Sequence, residues 1–136
     1  MKTGVEVVLW RARAGVRARN ARTNQLIAGR VRMATSRARR AVGLIGRSGL
    51  QEGEALWIAP SRGVHTWGMR FSIDVLALDA AGQVVDLVAV LKPWRMRLPR
   101  RGCVGVLELA AGTIRQSGTE MGDAVIFEVA HDAQSG

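Results

Sequence analysis

From Phe71 to Leu78 the chain keeps a period of two, and that run limits its fold more than any other. Phe71, Ile73, Val75 and Ala77 fall on one face of an extended strand, and Ser72, Asp74, Leu76 and Leu78 fall on the other. Asp79-Ala80-Ala81-Gly82 then supplies a hairpin turn, with glycine where a positive φ is needed. Gln83 to Leu91 returns as a second strand, and Pro93 stops it. A chain with this hairpin at its centre is built around a sheet.

The flanking segments extend the same pattern. Val16 to Arg19 and Ile27 to Met33 alternate apolar with arginine, and the polar run Asn20 to Gln25 makes the turn between them. Such a hairpin has an arginine outer face, which either meets anions or points into solvent at a guarded edge; solvated arginines are the expectation. After Met33 the period changes. Ala38, Ala41, Val42 and Ile45 stand at helical spacing behind a Thr35 or Ser36 cap, and Gly46 ends the helix. Ala55 to Ala59, Val104 to Leu109 and Ala124 to Val129 read as further strands. Lys92 to Gly102 reads as a surface loop carrying Trp94, and Gly112 to Gly118 as one helical turn capped by Thr113. The expected architecture is mainly β (α+β): a compact, β-barrel-like sheet domain with one or two short helices. Residues 1–15 form an N-terminal extension in which Val5 to Trp10 can add an edge strand, residues 16–130 the single domain, and residues 131–136 a tail.

Charge is divided unevenly along the chain. Residues 1–47 hold twelve Lys or Arg against Glu6 alone, a net +11, whereas residues 48–136 hold eight against ten acids, a net −2. A basic third on a near-neutral body suits nucleic acid or another anionic surface, and it equally suits an arginine-rich composition with no such role. The single Cys103 excludes an internal disulfide and any multi-cysteine zinc site. Lys2 precedes only a short apolar run broken by Glu6, so no export signal is evident. The longest apolar stretch, Val84 to Leu91, is interrupted by Asp86 and is too short to span a bilayer. A cytoplasmic setting is the expectation.

No recurrent catalytic signature is present: no phosphate-binding glycine loop, dinucleotide fingerprint, zinc helix or nucleophile elbow. The chemistry that exists gathers in Val64 to Asp79. Asp74 shares its strand face with two leucines, so its carboxyl group either finds a cation or donors, or takes a proton. Arg70 and His65 are the nearby partners. Two readings of Asp74 stand side by side, a perturbed acid poised for proton transfer and a structural ion pair that fixes where the strand begins. Glu108 lies between two leucines and is a further acid–base candidate. No spacing among His65, Asp74, Glu108 and Asp123 suggests a metal site. Cys103 is a nucleophile only if His65 reaches it. Trp67 and Trp94 can stack on bases or sugars or serve packing, and Met69 fills a gap.

Gly43-Leu44-Ile45-Gly46-Arg47, Thr66-Trp67-Gly68-Met69-Arg70-Phe71-Ser72-Ile73-Asp74, Asp79-Ala80-Ala81-Gly82-Gln83-Val84-Val85, Val106-Leu107-Glu108-Leu109-Ala110-Ala111-Gly112 and Gly122-Asp123 occur in that order. Their order and spacing resemble the domain-of-unknown-function 192 (DUF-192) family of uncharacterised prokaryotic proteins, over about Val16 to Val129. The family pattern has methionine where this chain has Ile45 and often proline where it has Ser72. The resemblance implies a compact β-rich, barrel-like fold with short helices and no established activity or cofactor. Many relatives are exported or lipid-anchored, and with no export signal evident here that aspect is not expected to carry over. By the family pattern Arg47, Trp67, Met69, Arg70, Asp74, Glu108, Gly112 and Asp123 are the positions to watch.

Three functions follow. The first is a non-catalytic binding or accessory module for an anionic ligand or a protein partner, as in an envelope or secretion assembly; its binding residues are Arg47, Trp67, Met69, Arg70 and Asp123. The second is a small hydrolase- or lyase-like enzyme with Asp74 or His65, or Glu108, as acid and base and Arg47 or Arg70 holding an anionic substrate. The third is a nucleic-acid binder acting through the arginines between Arg11 and Arg40. The first is the expectation, with no cofactor and no metal.

Overall fold

The computed structural model describes residues 15–34, 49–61, 63–97 and 101–129. Its strands are β1 (Val16–Asn20), β2 (Leu26–Ala34), β3 (Glu54–Ile58), β4 (Val64–His65), β5 (Ile73–Leu78), β6 (Val84–Leu91), β7 (Met96–Arg97), β8 (Gly105–Ala110) and β9 (Val125–Val129). Among the described residues one short helix, α1, spans Thr113–Ser117. Seven strands form one sheet in the order β6-β5-β8-β3-β2-β1-β9, and β4 pairs with β7 as a separate ribbon. The fold is mainly β, as the alternating runs predict, and the large sheet curls into a half-barrel. No helix among the described residues is long and apolar enough to cross a membrane.

All neighbouring strands are antiparallel except β2 and β3, which run parallel from Arg30 beside Glu54 to Ala34 beside Ile58. A parallel pair needs a crossover connection, and the helix expected around Ala38 to Ile45 falls within it. That helix lies outside the described residues, as do the Val5 to Trp10 strand and the tail. At one end the outermost strands meet. Gln83 bridges Ala124, and the Val125 N–H donates to the Gly82 carbonyl at 2.9 Å. Gly82 has φ +83°, and a Cβ there would stand 3.0 Å from the Val125 carbonyl oxygen, so the closure requires glycine.

β5 and β8 are buried along their whole length because they lie inside the sheet with apolar cover on both faces. One layer holds Trp57, Leu76, Leu78, Leu107 and Leu109, joined by Ile114 of α1 and Phe127 of β9. The other holds Ile58, Ile73, Val75, Ala77, Val106 and Leu91, covered by Met69 and Cys103. Trp57 is the largest fully buried side chain among the described residues. Its ring meets Phe127 edge-on at 5.9 Å and fills the space where Gly105 has no Cβ. Glycine inside a strand here marks a close approach, not a turn.

Three local expectations are corrected. The expected loop Lys92 to Gly102 contains β7, whose two residues are too few to show a period. Thr113 does not cap α1: Gly112 occupies that position at φ 96°, and the Thr113 hydroxyl instead donates to the Ala110 carbonyl at 2.7 Å. The arginine face of the first hairpin is not simply solvated. Arg17 and Arg19 both donate to Glu128 Oε1 at 2.9 Å, because β9 pairs with β1, a long-range neighbour that local sequence cannot reveal.

Candidate functional site

Asp74 is fully buried, and its partners are backbone amides. Its Oδ1 accepts the Val90 N–H at 2.8 Å and its Oδ2 accepts the Ile114 N–H at 2.8 Å. Both donors would otherwise be orphans. Ile114 lies in the first turn of α1, where amides have no partner within the helix. Val90 belongs to an irregularity in which Ile73 pairs with Leu91 but Val75 pairs with Val88. Opposite Asp74 the β6 strand therefore carries one extra residue, a bulge. Val90 takes φ +55°, a left-handed conformation that a β-branched residue adopts only when its surroundings enforce it. Arg70 is exposed and so is His65, so neither expected cation serves Asp74 among the described residues. The acid is seated by donors, not by arginine.

Asp123 anchors a second polar centre, where the β1–β2 turn meets the loop after α1. It accepts Arg22 Nε at 2.8 Å, Asn20 Nδ2 at 2.9 Å and the Glu120 N–H at 2.8 Å. Arg22 chiefly, helped by Asn20 and the Glu120 amide, overcomes burial and holds this carboxyl well below the usual range. The Asn20 amide also donates to Thr119, and Arg22 to the Gly118 carbonyl. Glu108 is different. It sits in β8 between Leu56 and Val75, 4% exposed. Its Oε2 has no hydrogen-bond partner among the described residues, and burial pushes its pKa up to about 7.

Exposed chemistry gathers elsewhere, around Thr66. This residue is fully buried between β4 and the segment leading to β7. Its hydroxyl donates to the Lys92 carbonyl at 2.6 Å and accepts the Arg95 N–H at 2.9 Å. Its own N–H donates to the Arg95 carbonyl, and its carbonyl accepts the N–H groups of Met69 and Trp94. One threonine thus fixes two turns at once. The ribbon is pinned to the sheet below by Arg97, which forks onto Asp86 at 2.8 and 2.9 Å. Met69 is buried beneath. What these anchors hold outward is Trp67 (50% exposed), Trp94 (65%), Met96 (56%) and, at the bulge, Val90 (50%). The His65 ring lies tilted against Trp67 with centroids 5.2 Å apart. Trp94 sits in its turn at φ +62°. Arg70, Lys92 and Arg95 are exposed beside them.

The expected site residues therefore do not converge on one point. Trp67, Arg70 and His65 belong to the Thr66 surface, with Met69 as its buried support; Asp74 lies beneath it, Glu108 is inside the sheet, and Asp123 is in the knot beside α1. Arg47 lies outside the described residues. The Cys103 thiol is buried and faces the carbonyls of Ser61 and Gly105 at 3.3 and 3.4 Å, whereas His65 is at the surface. Among the described residues no three of His, Cys, Asp and Glu stand close enough to share a metal ion. Sequence reading passed over Thr66 and Met96. The signal for Thr66 was present, a short polar residue at the head of the most informative stretch, but its partners are 26 and 29 residues away.

A family model described as "Uncharacterized ACR, COG1430" (DUF192) matches residues 18–127. A UPF0127 protein of Pyrococcus horikoshii is 33% identical over 102 residues, covering 71% of this chain and 86% of that protein. A UPF0127 protein of Thermococcus sibiricus is 38% identical over 66 residues, or 48% of this chain and 42% of that protein. One from Pyrococcus furiosus is 43% identical over 60 residues, 44% of this chain and 51% of that protein. The chain thus spans about half the length of these last two relatives. Among solved structures, a Sinorhizobium meliloti protein described as a candidate transcription regulator superposes with TM-score 0.72 at 20% identity, over 82% of this chain and 91% of the other. A protein of unknown function from Novosphingobium aromaticivorans gives 0.71 at 19%, over 82% and 83%. At that identity the two structures establish the fold alone.

Proposed function

The chain belongs to the DUF192 family, described as uncharacterised, and from that premise we propose that it is a non-catalytic binding module for an anionic ligand. The binding surface is the aromatic and basic platform that Thr66 organises. The observation that carries this reading is the exposure of Trp67 and Trp94 on turns held rigid from beneath. A large indole left half in water is justified when something covers it, and a rigid backbone lowers the ordering cost of binding.

Asp74 and Asp123 support the same conclusion by being committed elsewhere. Both oxygens of Asp74 are used on amides that would otherwise be unpaired, and Asp123 is used on Arg22 and Asn20. An acid–base catalyst needs a proton path to a substrate, and neither group faces an exposed histidine or arginine of the platform. Arg17, Arg19 and Arg22 are engaged by Glu128 and Asp123, which speaks against the first hairpin as a phosphate-reading face. The test is to titrate the native protein and a Trp67→Ala/Trp94→Ala double variant with heparin, polyphosphate and anionic vesicles, following tryptophan emission and melting temperature. Ligand binding that the double variant loses, with its melting temperature unchanged, is the expected result. Binding to every anion that is indifferent to both tryptophans refutes the platform.

A further inference from the structure

Resting on the reading that the Thr66 platform is the binding surface, we propose that its ligand is the surface of an anionic lipid bilayer. Trp67, Val90, Trp94 and Met96 enter the headgroup layer, and Arg70, Lys92 and Arg95 engage lipid phosphates.

The kinds of side chain exposed decide between ligands. A platform for nucleic-acid bases or sugar rings needs flat aromatic faces in a row. Here one face of Trp67 is already taken by His65, and two of the four exposed groups are a methionine and a valine, which neither stack nor hydrogen-bond. Indole, thioether and branched aliphatic groups together suit the boundary between headgroups and acyl chains, where tryptophan is enriched. Charge complements that chemistry. Residues 63–71 and 87–97 contain Arg70, Lys92, Arg95 and Arg97 and no aspartate or glutamate. Arg97 is held by Asp86, which leaves three exposed cations around the apolar groups.

The geometry fits shallow docking. Trp94 at φ +62° and Val90 at φ +55° are exposed residues in left-handed backbone conformations. Both are fixed by buried acceptors, Trp94 through the Thr66 carbonyl and Val90 through Asp74. The backbone on which these groups stand is held by hydrogen bonds to buried residues, which lowers the ordering cost of docking.

The experiment uses the full chain with three ligands: phosphatidylcholine vesicles, vesicles of phosphatidylcholine mixed with an equal amount of phosphatidylglycerol, and heparin. Co-sedimentation measures binding, and lipids brominated on the acyl chain report insertion by quenching tryptophan emission. The expected result is binding to the mixed vesicles and not to phosphatidylcholine alone, with quenching by brominated lipid. Trp67→Ala/Trp94→Ala should abolish that quenching and weaken binding by about tenfold or more. Reversing Lys92 or Arg95 to glutamate should weaken it by roughly fivefold or more at low salt, since each basic group near an anionic surface contributes about that factor. Vesicle binding that persists undiminished in the double tryptophan variant overturns the proposal, because the arginine-rich N-terminal third then carries the adsorption. Tryptophan-dependent binding to heparin without vesicle binding also overturns it, yet leaves the platform as the binding surface. If neither ligand responds to the tryptophans, the lipid assignment and the platform reading both fall.

Discussion

Replacing Glu108 with glutamine should stabilise the protein above neutral pH and leave it nearly unchanged in mild acid. Glu108 has its pKa raised from the 4.5 of an unperturbed glutamate to about 7 by burial between Leu56 and Val75. Below about pH 4.5 the carboxyl is protonated in both the folded and the unfolded chain and contributes no slope. Between pH 4.5 and 7 the folded state holds a proton that the unfolded state has released, so stability falls as pH rises. Above pH 7 the loss is complete. That rise corresponds to about 3 kcal/mol, at 1.36 kcal/mol for each pH unit. Glutamine keeps the shape and the unmet hydrogen bond but cannot ionise, so Glu108→Gln should match the native protein near pH 4.5 and exceed it by about 3 kcal/mol at pH 8. For a chain of this size that is roughly 10 °C in melting temperature. Urea unfolding of both proteins at half-unit steps from pH 4.5 to 8.5 measures it. The pH-dependent contributions of Asp123 and Glu128 are common to the two proteins and cancel in the difference. A difference that stays flat across that range would refute the reasoning, since it would mean that Glu108 is solvated or paired in solution.

Two further changes test the scaffold. Asp74→Ala leaves the buried Ile114 amide and the part-buried Val90 amide unpaired, which should cost about 2–6 kcal/mol at roughly 1–3 for each donor left unsatisfied; urea unfolding reads the loss, and amide exchange should accelerate at Ile114 and Val90 first. Gly105→Ala drives a methyl group into the buried ring of Trp57. It should destabilise by about 1–3 kcal/mol or more and shift the near-ultraviolet circular dichroism of that ring, whereas an unchanged spectrum would mean that the strand can move aside.

Strand existence was legible because alternation is a local property. The runs Val16 to Arg19, Ile27 to Met33, Phe71 to Leu78 and Gln83 to Leu91 each hold a strand, with Phe71, Ser72 and Gln83 left outside β5 and β6. Turn glycines were legible for the same reason, Gly82 above all. What local pattern could not reveal was which strand lies next to which. The pairing of β1 with β9 turned Arg17 and Arg19 toward Glu128, and the parallel β2–β3 contact leaves no trace in either segment. Asp74 illustrates the limit most clearly. Its burial among leucines could be read from spacing, and so could its need for partners. A reader of sequence looks for charged partners, because side chains are what the sequence prints. The partners were two main-chain amides, one freed by a bulge and one by the start of a helix, and both arise only after folding. Thr66 escaped notice on the same ground.

The stretch from Val64 to Asp79 is thereby one device. Asp74 holds the Val90 amide, and so fixes the bulge at the end of β6 from which Lys92 to Arg95 departs. Thr66 then receives that segment through Lys92, Trp94 and Arg95. A fully buried carboxylate and a fully buried hydroxyl, eight residues apart in sequence, act on the two ends of one short turn, and Trp94 lies between them. The left-handed conformations of Val90 and Trp94, which cost of order 1–3 kcal/mol each, occur where these two anchors take hold. Strain of that size is hard to explain as packing, since an unstrained turn would have ended β6 more cheaply. It is explained if the exposed indole must stand where it does, and the acid at the centre of the chain's most informative segment then serves the surface above it without touching what binds there.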